Sequence, residues 1–278
     1  MIKLQGDKLQ VKILGSAQDG GLPHPLCQCI NCQKASTDKT FKRFVSSIAL
    51  FDSEKAYVFD ATADLAEQLL LLKEHHLEGI FITHVHIGHI LGLLFLGKEA
   101  ASTHNLPVYC TQEVKDFLET NKPFRWLVKR KNIELKVLQS EKSITLGKVR
   151  ITPFLVNHRN EDADTVGYLL EVNKKLVYIP DMDRLTKNVL RRIREADIAI
   201  IDGTFYSADE LPQNSLAAVP HPLVENSMKL LKEIPTKIYF THLNHTNPLN
   251  DPSSKAFKDI LAQGFNVSYR GMTFRLGI

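Results

Sequence analysis

The sequence predicts an α/β fold in which two mixed sheets pack face to face with helices outside. Three observations predict it. Apolar runs of strand character alternate with amphipathic segments along the whole chain. Strands joined by tight turns are mixed with strands joined by helical crossovers, the combination that two packed sheets with outer helices require. The two halves also share one order, strands first and helices later. No low-complexity tract, internal repeat or Gly/Ser linker divides the 278 residues, so a single domain is expected over 1–278.

The elements follow in order. "LQVKILGSA" alternates and reads as a strand, and "VSSIALFD" and "KAYVFDAT" are two strands joined by a tight turn at 53–54. "DLAEQLLLLKEHH" is an amphipathic helix, "GIFITH" a short apolar strand and "HILGLLFLGKEAAS" a helix after it. "LPVYCT" is a strand, "EVKDFLE" and "FRWLVKR" are short helices, and "IELKVLQ" is again a strand. "SITLGKVRITPFLVNH" and "TVGYLLEVNKKLVYIPD" are strand-rich, followed by a helix through "NVLRRIREA" and the strand "DIAIIDG". The last third gives the helix "NSMKLLKEI", the strand "KIYFTHL", the helix "SKAFKDILAQ" and a final strand "NVSYRGMTFRL". Residues 204–225 break the pattern. They hold few periodic apolar positions and include Pro212, Pro220 and Pro222, and a connection this long is read as a functional flap.

Composition narrows the function classes. An apolar fraction of 44% and a charged fraction of 24% are ordinary for a globular protein. The formal charge of +4 comes without a long Lys/Arg block, and "LVKRKN" and "LRRIRE" read as solvated helix faces, so neither nucleic acid nor a membrane surface is an expected partner. The opening "MIKLQGDKLQVKIL" carries charges where a signal peptide needs an apolar run, and no stretch reaches the roughly 18 apolar residues of a membrane span. A cytoplasmic protein is expected. Three of the four cysteines crowd too closely for a disulfide framework, and in a reducing compartment such a cluster suggests metal.

Polar residues end the apolar strands. His84 follows "GIFIT", His158 follows "ITPFLVN", Asp181 follows "KLVYIP" and His242 follows "KIYFT". Strands lying side by side bring these ends to one rim. "HVHIGH" adds His86 and His89, and so many imidazoles would be crowded and desolvated without a stabilising partner. Imidazole and carboxylate suit zinc or iron, with manganese a third fit. A lone strand-end histidine is more often an ordinary one, and His75, His76 and His104 read that way. "CQCINC" places Cys27, Cys29 and Cys32 on one loop, where three thiolates can converge on a tetrahedral zinc. The fourth ligand could be His24, which is close in sequence, Cys110, in an apolar strand, or His245, three residues past His242. Four protein ligands would make that zinc structural.

With these motifs the sequence resembles the metallo-β-lactamase superfamily, whose signature is H-x-H-x-D-H after a strand, then a His, an Asp and a His at later strand ends. "HVHIGH", "NH" at 157–158, "PD" at 180–181 and "TH" at 241–242 match in order. "ILGSAQDGGLP", "CQCINC", "SSIAL", "IDGTF", "VPHP" and "THLNHTNPL" bring it closest to the PqqB-like branch, named for pyrroloquinoline quinone biosynthesis. PhnP-like phosphodiesterases share the cysteine cluster. The resemblance implies a four-layer αββα sandwich with metals at the strand-end rim. It implies that His84, His86 and His158 bind one metal, and that His89, Asp181 and His242 serve a second. It implies Asp60 behind the ligands, His245 as the fourth ligand of the cysteine zinc, and His221 on the flap, touching substrate or capping the segment.

The expected activity is metal-dependent hydrolysis. A metal lowers the pKa of bound water from about 16 to about 7, and the nucleophile attacks an ester or phosphodiester-type bond of a small-molecule or peptide-derived substrate. Asp181 and His242 are the expected catalytic pair, with Asp181 orienting the water. Two alternatives stand beside it. His89, Asp181 and His242 are the two histidines and one carboxylate of non-haem iron oxygenases, which would suit a redox-cofactor pathway. A non-catalytic carrier would keep only structural zinc. The superfamily's motif aspartate is replaced by Gly88, so the expected centre is five histidines around one carboxylate. Such a centre holds one cation tightly and a second weakly.

Overall fold

Strands buried on both faces explain why the apolar runs are nearly continuous. The structure is a computed structural model, and it describes residues 9–210 and 220–277. The first sheet contains β1 (Gln10–Gly15), β2 (Ser47–Phe51), β3 (Lys55–Phe59), β4 (His76–Phe81), β5 (Leu106–Cys110) and β6 (Ile133–Val137) in that spatial order. The second contains β7 (Ile144–Leu146), β8 (Val149–Val156), β9 (Thr165–Glu171), β10 (Lys175–Ile179), β11 (Ile198–Asp202), β12 (Lys237–Thr241) and β13 (Asn266–Val267). The last strand, β14 (Thr273–Arg275), returns to pair with β1.

Side-chain alternation builds the layers. Ile48, Leu50, Tyr57, Phe59 and Phe81 face Ile151, Tyr168, Leu170, Tyr178 and Ile200 across the space between the sheets. Tyr168 there donates its hydroxyl proton to the Ile82 carbonyl at 2.6 Å, satisfying a buried polar tip. The other faces bury against helices. Ala49, Val58 and Ile80 pack beneath α2 (Leu65–Leu69), α3 (Ile87–Ile90), α4 (Gln112–Thr120) and α5 (Lys122–Lys129). Leu169, Val177 and Ile201 pack beneath α6 (Lys187–Arg194), α7 (Val224–Leu231) and α8 (Lys255–Ala262). The result is the expected αββα sandwich. One more helix, α1 (Ile30–Thr37), follows Cys29 and carries Cys32, so only Cys27 and Cys29 sit on the loop where all three were expected.

Three expected elements differ. "HILGLLFLGKEAAS" is one turn of α-helix and then a 3-10 turn over Leu91–Leu96. Its backbone groups are diverted: Ala61 donates to the His89 carbonyl and Gly92 donates to the Ala61 carbonyl, both at 2.8 Å. A Cβ at Gly92 would stand 2.1 Å from the Thr62 carbonyl oxygen, so the close approach requires glycine. "DLAEQLLLLKEHH" likewise shortens to α2 and a 3-10 turn over Leu70–Leu72. The final strand is split between the two sheets, because a turn at Gly271, with φ +92°, hands the chain from β13 to β14.

Topology places the site. β3 to β6 run parallel, as do β10 to β13, so their carboxyl ends share an edge. Ligands in α/β sheets bind outside such ends. Of the expected flap, residues 211–219 lie outside the described residues.

Candidate metal centre

The strand ends bring the expected residues together in two adjoining clusters. In the first, His84 Nε2 lies 3.0 Å from His86 Nδ1, and His158 Nε2 lies 3.2 Å from the same atom. Asp181 Oδ2 closes the group, 3.2 Å from His158 Nε2 and 3.5 Å from His84 Nε2. Four ligands about 2.0–2.1 Å from a tetrahedral ion lie about 3.3 Å from one another. The spacing suits one cation.

The second cluster holds His89, His242 and a residue the sequence reading missed, Asp19. Asp19 Oδ1 lies 3.5 Å from both His89 Nε2 and His242 Nε2. Asp181 Oδ2 is 3.6 Å from His242 Nε2 and 3.9 Å from His89 Nε2, so it stands between the clusters. His89 Nε2, His242 Nε2 and Asp19 Oδ1 are buried without a hydrogen-bond partner. Buried polar atoms are nearly always paired, and three orphans converging on one point fit a cation. The expectation of a single carboxylate is therefore corrected. Gly88 supplies none, but Asp19 does, from the loop after β1. Its signal, an Asp before Gly-Gly past a strand end, reads equally as turn chemistry.

Each ligand histidine is oriented from behind, as metal-ligating imidazoles are. His89 donates Nδ1–H to Asp60 Oδ2 at 2.9 Å. Thr83 donates its hydroxyl proton to Asp60 and receives Nδ1–H of His84, at 2.9 Å in each case. The other sheet repeats the device: Thr204 donates to Asp202 at 2.8 Å and receives Nδ1–H of His242 at 2.9 Å. His158 donates Nδ1–H to Asp183 at 2.9 Å. His86, the most exposed of the five, has its Nε2 3.3 Å from Glu161. Asp60 lies behind His89 and, through Thr83, behind His84. Asp183, Asp202, Thr83 and Thr204 were given no role by the sequence, although Asp202 and Thr204 lie within "IDGTF". The chain turns sharply at Asp60 and His242, whose φ values are 68° and 59°. Both residue types are among those that tolerate this region.

Charge is balanced inside the centre. Burial opposes ionisation of Asp181, but His242, His158, His84 and His221 hold its carboxyl well below the usual range. Burial likewise opposes Asp19, and the adjacent His242 and His89 outweigh it and lower its pKa. Burial pushes His84 down and, with the nearby His89, keeps it neutral. His89 is buried too, yet Asp60 and Asp19 on its two nitrogens push it up, so a proton there competes with a cation.

His221 lies behind the centre. Its Nδ1–H reaches Asp202 Oδ2 at 2.8 Å, and Asp181 Oδ1 lies 3.3 Å away. Burial works against its charge, but Asp202 and Asp181 push it up to about 9. The geometry sets it on the carboxylates of the centre, beyond simple capping of the segment.

A separate centre gathers Cys27, Cys29, Cys32 and His245. His245 Nδ1 lies 3.3 Å from Cys27 Sγ and 3.5 Å from Cys29 Sγ, against about 3.6 Å for an S–N edge of a tetrahedral zinc site. The Cys29 amide donates to Cys27 Sγ and lowers its pKa, while burial pushes Cys32 up to about 12. A cation among the sulfurs would offset the burial that keeps Cys32 protonated. Cys110 is on β5 in the helix-side core, away from this group. His24 packs its ring 4.4 Å from that of His245 and turns Nδ1 to the Pro25 carbonyl.

Known proteins share this fold. The β-lactamase superfamily domain matches residues 55–243, more than half of the chain. Coenzyme PQQ synthesis protein B of Rhizobium meliloti (strain 1021) is 30% identical over 304 residues, covering 96% of this chain and 98% of its own. The Zn(2+)-bound PqqB from Methylobacterium extorquens superposes with a TM-score of 0.84 at 25% identity, over 95% of this chain and 99% of its own. A diphosphatase from the PhnP family shares the fold, with a TM-score of 0.74 at 21% identity over 97% of this chain and 98% of its own. The chain belongs to the β-lactamase superfamily and, within it, to the family of coenzyme PQQ synthesis protein B.

Proposed function

We propose that this protein is a metal-dependent hydrolase acting on an ester or phosphodiester-type bond of a small-molecule or peptide-derived substrate. The observation that carries the reading is the pair of clusters sharing Asp181, with His89 Nε2, His242 Nε2 and Asp19 Oδ1 left without other partners. His84, His86, His158 and Asp181 would hold one cation, and His89, His242, Asp19 and Asp181 a second. Zinc suits the donors best, with iron and manganese next. When bound, such cations supply Lewis acidity and a nucleophilic water at neutral pH. Asp181, between the clusters, would orient such a water, and His242 would help hold the second cation. His221, fixed by Asp202 through Nδ1–H and kept protonated beside Asp181, would offer its Nε2–H to a leaving oxygen. Cys27, Cys29, Cys32 and His245 would hold a structural zinc.

The relatives are named for coenzyme PQQ synthesis, and we extend that pathway to this chain as part of the proposal. A cytoplasmic setting suits the unpaired cysteine trio. Among the described residues no helix is long and apolar enough to cross a membrane. Residues 204–225, which begin after β11 and end in the first turn of α7, remain the proposed flap of a single domain. The iron-oxygenase reading rested on an isolated set of two histidines and one carboxylate, and Asp19 adds a second carboxylate to that set. The carrier reading leaves the oriented histidines and the side chains that hold them without a use.

The test is turnover of nitrophenyl esters and of mono- and bis-nitrophenyl phosphates by metal-depleted protein reloaded with zinc, manganese or iron(II). Metal-dependent release, lost in Asp181→Asn, is expected. Dioxygen uptake in place of hydrolysis by the iron-loaded protein would move the assignment to the oxygenase class.

A further inference from the structure

We propose that Asp19, from the loop after β1, stands in for the carboxylate that the superfamily motif places at position 88, and completes the second cation site. The inference rests on the two-cation reading above and assigns its missing ligand.

The steric relationship between the two positions carries the argument. A Cβ built on Gly88 would lie 2.2 Å from Asp19 Oδ1, 2.6 Å from its Cγ and 2.8 Å from its Cβ. No side chain at 88 can coexist with Asp19 as it stands. The two positions address one volume, and the glycine at 88 is the condition for the aspartate at 19. Asp19 uses that volume as a ligand would, with Oδ1 equidistant from the two orphaned imidazole nitrogens of His89 and His242.

The loop is built to hold the carboxylate there. Leu243 donates to the Ser16 carbonyl at 2.8 Å and Gln18 donates to the Leu243 carbonyl at 2.9 Å, so Asp19 is pinned to the strand end that carries His242. Gly21 donates back to the Gln18 carbonyl at 2.7 Å and closes the turn, with Gly21 at φ +68°. Leu22 and Arg43 then exchange backbone hydrogen bonds at 2.9 Å. The same loop ends in the cysteine centre, which is tied to His245. The exchange therefore moves the anchor of this ligand from the short helix α3 to a loop fastened at both ends. A carboxylate that only balanced the charge of His89 would need neither the equal approach to His242 nor an empty position 88.

The experiment counts zinc by elemental analysis on the full chain after metal depletion and re-equilibration with zinc. The chains compared are the unmutated protein, Asp19→Ala, Asp19→Asn, Gly88→Ala and the double exchange Asp19→Ala with Gly88→Asp. The unmutated chain should hold about three zinc ions, the cysteine centre included. Asp19→Ala and the nearly isosteric Asp19→Asn should each lose one equivalent, and Gly88→Ala should lose it by displacing Asp19. The double exchange should regain it. Thermal melting of each chain checks folding, and the asparagine variant keeps the test decisive should the alanine variant be unstable. About three zinc ions in both Asp19 variants overturn the assignment of Asp19 and leave the two-cation reading standing. About two in the unmutated chain overturns both. A double exchange that fails to regain the equivalent overturns the equivalence of the two positions.

Discussion

Asp60 Oδ2 lies 2.9 Å from His89 Nδ1, while the other oxygen of the same carboxylate takes the Thr83 amide and hydroxyl at 2.8 and 2.9 Å. One buried aspartate thereby fixes His89 directly and His84 through Thr83, one ligand from each cluster. Asparagine keeps one acceptor oxygen, tolerates the positive φ at this position, and turns an NH2 toward a donor. Asp60→Asn should weaken zinc binding at the histidine centre by about 10–100-fold and leave the cysteine centre filled. Competition against a chromogenic chelator measures this, and unchanged affinity would show that Asp60 orients neither imidazole.

The cysteine centre should be required for folding, since metal binding energy at such sites is folding energy. Cys29→Ser should cost several kcal/mol and lower the melting temperature sharply. His245→Ala should behave like it, because His245 Nδ1 faces both Cys27 and Cys29. His242→Ala should instead keep the fold and lose metal only at the histidine centre. Equal melting temperatures for Cys29→Ser and the unmutated chain would remove zinc from this loop.

Strand-borne ligands were legible in the sequence because strand position fixes where they go. His84, His158, Asp181 and His242 each follow an apolar run; parallel register carries three of them to one edge, and two successive antiparallel pairings, β8 with β9 and β9 with β10, turn β8 the same way and bring His158 there too. The cysteine trio was legible because three thiols within six residues have few other uses. Asp19 was not, since its position depends on the pairing of Leu243 with Ser16 and Gln18, about 225 residues apart in sequence. Asp202 was hidden for another reason: at the end of "AIID" it looks like any strand-terminal aspartate until the fold sets His221 and Thr204 against it. The broken helix after His89 was missed because local apolar spacing does not reveal that the His89 carbonyl and the Gly92 amide are claimed by the turn at Ala61.

Glu210 gives a pH dependence that is separate from the metal centres. Burial raises its pKa to about 7, against hydrogen bonds from the Thr246 hydroxyl and the amides of Tyr206 and Ser207. A carboxyl raised on folding binds more protons folded than unfolded between about pH 4.5 and about pH 7. The folded state accordingly loses stability across that window as the pH rises. Glu210→Gln removes the titration, so it should gain on the unmutated chain by about 1 kcal/mol or more between pH 5 and pH 8. Urea unfolding of both chains at the two pH values reads the difference, and parallel curves would place Glu210 in an ordinary aqueous setting.

His221 makes the sharpest claim about chemistry. Asp202 accepts its Nδ1–H, and Asp202 is itself held by the Met182 amide at 3.0 Å and by the amide and hydroxyl of Thr204, each at 2.8 Å. So fixed, and raised to about 9, His221 keeps its proton at neutral pH. A cation on Asp181 takes away part of the negative charge that raises it, so the working value should lie below about 9. Activity that depends on this proton falls as the pH rises through that value. His221→Asn should lower kcat by about 10²–10⁴-fold, move KM little and erase the alkaline limb of the pH profile. Zinc content should not change, because the His221 nitrogen nearest Asp181 is already committed to Asp202. A substrate with a good leaving group, such as a nitrophenyl ester, needs less proton donation and should suffer less than a poor one. An equal loss on both substrates, with the alkaline limb intact, would reduce His221 to a support for Asp181.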